Sequence, residues 1–213
     1  MMNYCFRYST RFAPQLLLLI GFFYSFTAGI SSSNLVPSAA AQTATQADSA
    51  NHPKLVIIIR HGEKPPKGDP SPDLIPAGFE RAKHLPELFL GPSARFPRPD
   101  AIFATHKSAH SDREVETVIP LSAALHLPIS HDFNEDDVKP LADTILSGAY
   151  AGKVVLICWH HGKIPALAQA FGINSAPKWP DDIFNRVWEI TWVDGKPNLS
   201  IRQQALMPSD PAN

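Results

Sequence analysis

"KLVIIIRHGEKPP", residues 54–66, is the stretch on which the reading of the chain turns. Leu55 to Ile59 are all branched and apolar, with no polar residue alternating among them. Such a run fits a strand buried on both faces, as at the centre of a parallel sheet. It stops abruptly on Arg60, His61 and Gly62, and the Pro-, Gly- and Asp-rich segment 63–73 that follows reads as a loop. Two basic side chains at the end of a buried strand need a reason.

Working outward, the pattern repeats. Residues 77–90 have helical spacing through Phe79, Ala82, Leu85 and Leu88–Phe89, with a kink expected at Pro86. "DAIFAT" (100–105) is a second short strand. "SDREVETVIPLSAALH" (111–126) is a helix, with Ser111 as N-cap and Glu114 completing a capping box. Pro120 should bend or divide it. "LPIS" (127–130) is a short strand and 138–146 a helix. "KVVLICW" (153–159) is another strongly buried strand, followed by a helix over 164–171. "RVWEITWV" (186–193) alternates like an edge strand, and "NLSIRQ" can pair with it across "DGKP". Strands and helices alternate in order, so the expected fold is α/β, a three-layer sandwich with a largely parallel sheet and helices on both faces. A core of this size fits one domain over 54–207, with a tail at 208–213.

The N-terminal region differs. Arg7 and Arg11 precede a 15-residue apolar run, Leu16 to Ile30, and small residues at Ala39 and Ala41 follow. This is the layout of an export signal over 1–41, cleaved after Ala41. The run is shorter than the roughly 20 residues that span a bilayer, and a retained anchor is the alternative. Residues 42–53 read as a disordered linker. Either form of the N-terminus places the domain outside the cytoplasm, periplasmic or secreted in a bacterium. Without residues 1–41 the formal charge moves from −1 to −3, no footprint for nucleic acid. Cys158 is then the sole cysteine and sits in an apolar run, so no internal disulfide is expected.

In open α/β sheets, ligands gather beyond the carboxyl ends of the strands. Three strands here deliver cations to that edge: Arg60 and His61 from the first, His106, Lys107 and then Arg113 from the second, His160, His161 and Lys163 from the buried strand 153–159. Cations converge stably only around an anion. Arginine forks suit phosphate oxygens, and a neutral imidazole can serve as nucleophile towards phosphorus. A phosphoryl group is the inferred ligand. Nine histidines raise the question of a metal, but no His-Glu-x-x-His and no zinc-spaced Cys/His pair is present, and no metal or cofactor is expected.

"IIIRHGEKP", "SDREVETVIPL" and "VVLICWHHGKIPALA", with "LIPAGFERAKHL" (74–85), resemble the histidine phosphatase superfamily and its phosphoglycerate-mutase-like fold over roughly Leu55 to Trp192. The resemblance implies His61 as the phosphorylated nucleophile. Arg60, Arg113 and His160 would hold the phosphoryl group, and a carboxylate would protonate the leaving oxygen. The family's His-Asp pair is replaced by His160-His161, which shifts the acid to "HDFNEDDVKP" (131–140), with Glu135 favoured and Glu63 a candidate by proximity. Lys64, His161 and Lys163 are possible substrate contacts.

The expected activity is that of a metal-independent, histidine acid phosphatase-like enzyme acting on a small phosphorylated molecule, a phosphomonoester or diphosphate. A phosphoglycerate-mutase-like transferase and a non-catalytic phosphate-ligand binding protein are the alternatives.

Overall fold

The computed structural model describes residues 51–210. The expected signal segment, and the expected linker up to residue 50, lie outside the described residues. At the linker's end, Pro53 is buried, the His52 ring lies edge-on to Trp192 at 5.2 Å, and the His52 carbonyl accepts from the Gly152 N–H.

Six strands form one sheet: β1 (Leu55–Arg60), β2 (Ala101–Thr105), β3 (Ile129–Phe133), β4 (Val154–Trp159), β5 (Arg186–Val193) and β6 (Lys196–Gln203). Their order is β3-β2-β4-β1-β5-β6. The first four strands in that order are mutually parallel, and β5 and β6 are antiparallel additions. β5 is therefore an inner strand, with β6 at the edge. Its alternation arises because it borders the less covered end of the sheet.

β1 and β4 are buried at every position. Side chains alternate across a strand, so Ile57 and Ile59 join one core and Val56 and Ile58 the other. The first core is closed by a 3-10 turn (Leu85–Leu88) and α2 (Arg113–Leu125), with α1 (Pro76–His84) packed against α2. The second is closed by α3 (Val138–Leu146) and α4 (Ile164–Ala170). The architecture is the expected three-layer sandwich.

Local details differ from the sequence expectation. α1 buries Gly78, Arg81 and Ala82, while Phe79 is 46% exposed. The helix has turned so that a glycine, not an aromatic, meets the loop after β1. α2 starts at Arg113 with Asp112 at its N-cap, and no side chain caps it. Ser111 Oγ instead donates to Glu114 Oε2 at 2.7 Å, so the capping-box pair closes on itself. Pro120 lies inside one unbroken helix. The strand expected over 127–130 runs from Ile129 to Phe133. Among the described residues no helix is long and apolar enough to cross a membrane.

Candidate active site

Strand register assembles the site. Arg60 on β1 pairs with Trp159 on β4, so the next residues, His61 and His160, emerge side by side. Their rings lie 6.3 Å apart. β2 flanks β4 on its other side, Ala104 opposite Cys158, and hands the chain on through His106 to α2 and Arg113.

His61 is fully buried. Its Nδ1 lies 2.6 Å from the Gly62 carbonyl. A carbonyl only accepts, so Nδ1 carries the proton and Nε2 bears a free lone pair. That Nε2 is buried without a hydrogen-bond partner among the described residues. Burial, then the charge of Arg60, holds the His61 pKa well below the usual histidine value. The ring is thus kept neutral with one nitrogen available.

Gly62 is needed because its backbone meets α1. A Cβ there would stand 2.9 Å from the Gly78 carbonyl oxygen, and one on Gly78 would stand 2.8 Å from the Glu63 nitrogen. The Gly62 N–H donates to Thr117 Oγ1 at 2.8 Å, and that hydroxyl donates to the Arg113 carbonyl at 2.7 Å. One threonine on α2 joins the two arginine-bearing segments.

Arg60 is completely buried. Its Nη1 donates to the carbonyls of Asp181 (2.6 Å) and Ile183 (3.1 Å), and its guanidinium lies 3.9 Å over the Phe184 ring. Nε and Nη2 have no hydrogen-bond partner among the described residues. Burial lowers its pKa to about 10, against the opposing charges of Asp181 and Glu114, so it stays charged at neutral pH. Arg113 donates to the carbonyls of Ser71 (3.0 Å) and His110 (2.9 Å), with Nε buried and unpartnered. Its charge also acts on His61. Buried donors without partners are rare and cost about 1–3 kcal/mol each. Here they cluster beside a bare imidazole nitrogen.

His160 Nδ1 accepts from the Gly162 N–H at 3.3 Å, leaving Nε2 to carry a donor proton. Burial lowers its pKa, with Glu135 and Glu114 pulling the other way. Glu135 Oε2 lies 3.8 Å from His160 Nδ1. The Glu135 carbonyl accepts from Trp159 Nε1 at 3.0 Å, which fastens this loop to the end of β4. Glu135, His160, Arg113 and Glu114 line a common cavity of about 340 Å³.

The other expected residues fall elsewhere. Glu63 is not free to act as an acid, because Arg81 holds both its oxygens at 2.6–3.1 Å. Lys163 pairs with Asp136 at the rim. His161 stands behind His160 with ring centroids 4.5 Å apart, and its Nε2 is 3.3 Å from Asp181 Oδ1. Burial first, then Arg60 and His160, lowers its pKa to about 4. Lys64 lines a second cavity together with Arg113, and its charge also acts on His160 and His161.

Three features that border these side chains were not anticipated from sequence. Phe184 packs on both Arg60 and His61, with ring centroids 5.9 Å apart in the latter pair. The segment 181–183 offers carbonyls, which no residue type announces. Glu114 is only 2% exposed and borders the cavity. Its place directly after Arg113 was the available signal. Among the described residues no group of three or more His, Cys, Asp or Glu is arranged to hold a metal ion.

No protein-family model and no curated protein matches this sequence. Solved structures do match. The protein histidine phosphatase SixA, in complex with tungstate, is 15% identical with a TM-score of 0.53, over 70% of this chain and 97% of that one. A mycobacterial glucosyl-3-phosphoglycerate phosphatase, in complex with VO3, is 15% identical with a TM-score of 0.52, over 71% and 100%. A phosphoserine phosphatase from Entamoeba histolytica, in complex with phosphoserine, is 13% identical with a TM-score of 0.51, over 72% and 98%. By fold, the chain is a phosphoglycerate-mutase-like α/β sandwich, the architecture these phosphatases share.

Proposed function

We propose that the protein is a histidine phosphatase that hydrolyses small phosphate esters through a phosphohistidine at His61. The observation that carries this reading is the His61 ring itself: Nδ1–H is fixed on the Gly62 carbonyl, and Nε2 is bare, buried and flanked by unpartnered guanidinium donors. Solved proteins of the same fold hold tungstate, VO3 and phosphoserine, which makes an oxyanion ligand the consistent choice.

In the first step His61 Nε2 forms a bond to phosphorus while the bond from phosphorus to the leaving oxygen breaks. Arg60, Arg113 and His160 Nε2–H take the charge spread over the phosphoryl oxygens. Glu135, protonated, gives its proton to the leaving oxygen, which departs as an alcohol. In the second step water attacks phosphorus, Glu135 takes the water proton, and the N–P bond breaks. Inorganic phosphate leaves and His61 is restored. The placement of Glu135 beside His160 favours hydrolysis over mere binding. We also propose that residues 1–41 are a cleaved export signal, which N-terminal sequencing of the exported protein would test.

The test is turnover of phenyl phosphate and an alkyl phosphate by the purified protein. His61→Ala should lower kcat by roughly a thousandfold or more. Labelled substrate should leave a protein-bound phosphate that survives alkali and is lost in acid. Glu135→Gln should depress alkyl phosphate turnover far more than phenyl, whose leaving group needs little protonation. Full activity in His61→Ala would overturn the nucleophile, and equal losses on both esters would overturn the acid.

A further inference from the structure

The proposed chemistry at His61 leaves one buried carboxylate without a task. Glu114 follows Arg113 in the first turn of α2, is 2% exposed, and lines the same cavity as Arg113, His160 and Glu135. Its charge acts on Arg60 at the end of β1, on Cys158 within β4 and on His160 just beyond it. It therefore sits where the groups that would hold the phosphoryl oxygens converge. Glu135, by contrast, has a side chain 51% exposed.

A buried carboxylate is normally met by a cation or by several N–H donors. Among the described residues Glu114 has one side-chain hydrogen bond, from Ser111 Oγ to Oε2 at 2.7 Å, and no ion pair. The cations around it are engaged with other groups. The bonded nitrogens of Arg60 and Arg113 donate to carbonyls. Lys107 pairs with Asp112, Lys163 with Asp136, and His160 faces Glu135. Meanwhile Nε and Nη2 of Arg60 and Nε of Arg113 lack acceptors. A carboxylate short of donors thus stands beside guanidinium groups short of acceptors, and they have not closed on each other. A ligand that both accepts and donates would satisfy both.

A phosphoryl monoanion is such a ligand. Its bare oxygens accept from the arginines and its P–OH donates to a carboxylate, whereas a dianion has no proton to give and is repelled. The fixed charges agree. Arg60 and Arg113 bring two positive charges and Glu114 one negative, while burial keeps the rings of His61, His160 and His161 neutral at neutral pH. Glu63 is paired with Arg81. The remaining ionisable groups around the site, Glu135, Lys64, Asp181, Asp182, His106 and His110, are exposed, and solvent screens them.

We propose that Glu114 is a specificity-determining residue: it makes the site select a phosphoryl monoanion, which gives its P–OH hydrogen to Glu114, over dianions such as sulfate. The inference rests on the phosphatase reading above for the anion site and goes beyond it in assigning the protonation state of the ligand.

The test is calorimetry of the purified protein with inorganic phosphate and with sulfate between pH 7 and pH 9. Over this range phosphate passes from monoanion to dianion, sulfate stays a dianion, and the three histidines stay neutral. Phosphate affinity should fall towards a limit of about tenfold per pH unit as the monoanion is depleted. Sulfate should bind about tenfold more weakly than phosphate at pH 7, or worse. Glu114→Gln keeps the shape and the acceptor for Ser111 but removes the charge. It should raise sulfate affinity about tenfold and flatten the phosphate slope. Sulfate bound to that variant also reads any titration of Lys64, whose pKa burial and then Arg60 and Arg113 lower. If the variant does not fold, the parent's slope and its phosphate-to-sulfate ratio decide. No binding of either ion, equal affinities in the parent, a phosphate slope that Glu114→Gln leaves intact, or an equal gain for both ions would overturn the role of Glu114. Phosphate selectivity with this slope and no turnover of phenyl phosphate would sink the phosphatase reading and keep that role.

Discussion

At the scale of single residues, the site depends on histidines kept neutral by burial. His61, His160 and His161 all have pKa values lowered from the usual 6.5, with burial as the first cause and neighbouring arginine charge as a second. In the unfolded chain these groups take up protons near pH 6.5. Below that pH the unfolded state binds more protons than the folded one, so unfolding becomes easier as the pH falls. For His161 the effect accumulates from about 6.5 down to its folded value of about 4. Two outcomes are expected. The Tm should fall between pH 7 and pH 5, and His161→Asn should make that fall shallower. Meanwhile, if His61 is the nucleophile as proposed, the acid limb of kcat/KM should lie below the usual histidine value of 6.5, because protonation of His61 would end its attack. A limb centred at 6.5 or above, or a Tm slope that His161→Asn leaves unchanged, would contradict this account.

At the scale of elements, β1, β4 and α2 carry the residues of the proposed site, and these are the elements the sequence makes plain. An unbroken apolar run such as Leu55–Ile59 or Val154–Cys158 has few alternatives to a strand covered on both faces. A cation at the end of such a run is conspicuous, which is why Arg60, His61 and His160 are readable in advance. Contacts made by backbone are not. Arg60 is held by the carbonyls of Asp181 and Ile183, and any residue supplies a carbonyl. Ser111 and Glu114 have the right spacing for a capping box, yet spacing does not say which acceptor each group finds, and they bond to each other. Thr117 is the element-scale link worth testing. Its hydroxyl accepts from the Gly62 N–H and donates to the Arg113 carbonyl, tying the β1 end to the first turns of α2. Thr117→Val keeps the shape and strands the Gly62 N–H in a buried place. A loss of about 1–3 kcal/mol in urea unfolding is expected, together with a lower kcat. Thr117→Ser should recover most of both, and a valine variant as stable and as active as the parent would show the link to be idle.

At the scale of the whole molecule, the proposed site near the start of the domain is braced from residues near position 210. Arg81, 3% exposed on α1, donates to Glu63 directly after the His61-Gly62 pair, and also to Gln204 Oε1 (3.2 Å) and to both oxygens of Asp210 (2.6 and 3.1 Å). Gln204 in turn donates through Nε2 to the Phe184 carbonyl at 3.3 Å and through its backbone N–H to the Asn185 carbonyl at 2.6 Å. One buried network therefore holds both walls that enclose the His61 ring, the loop behind it and Phe184 over it. Burial pulls the Arg81 pKa down, but the bonds to Asp210 and Glu63 outweigh this and raise it, while the same contacts lower that of Asp210 against its own burial. The sequence conceals this role because one arginine on an amphipathic helix reads as a solvated residue, and an aspartate at position 210 reads as tail. Arg81 is a positioning residue: it does not face the cavity of Glu135 and His160. Arg81→Lys retains the charge and loses the planar fork that serves two carboxylates at once. Breaking a buried ion network of this kind costs about 3–5 kcal/mol, and the lysine should recover only part of that. If the network aims His61, kcat should fall tenfold or more while KM for phenyl phosphate stays within about threefold, since Arg60, Arg113 and His160 keep their own anchors. Measured well below the variant's Tm, a kcat equal to that of the parent would reduce Arg81 to a purely structural brace.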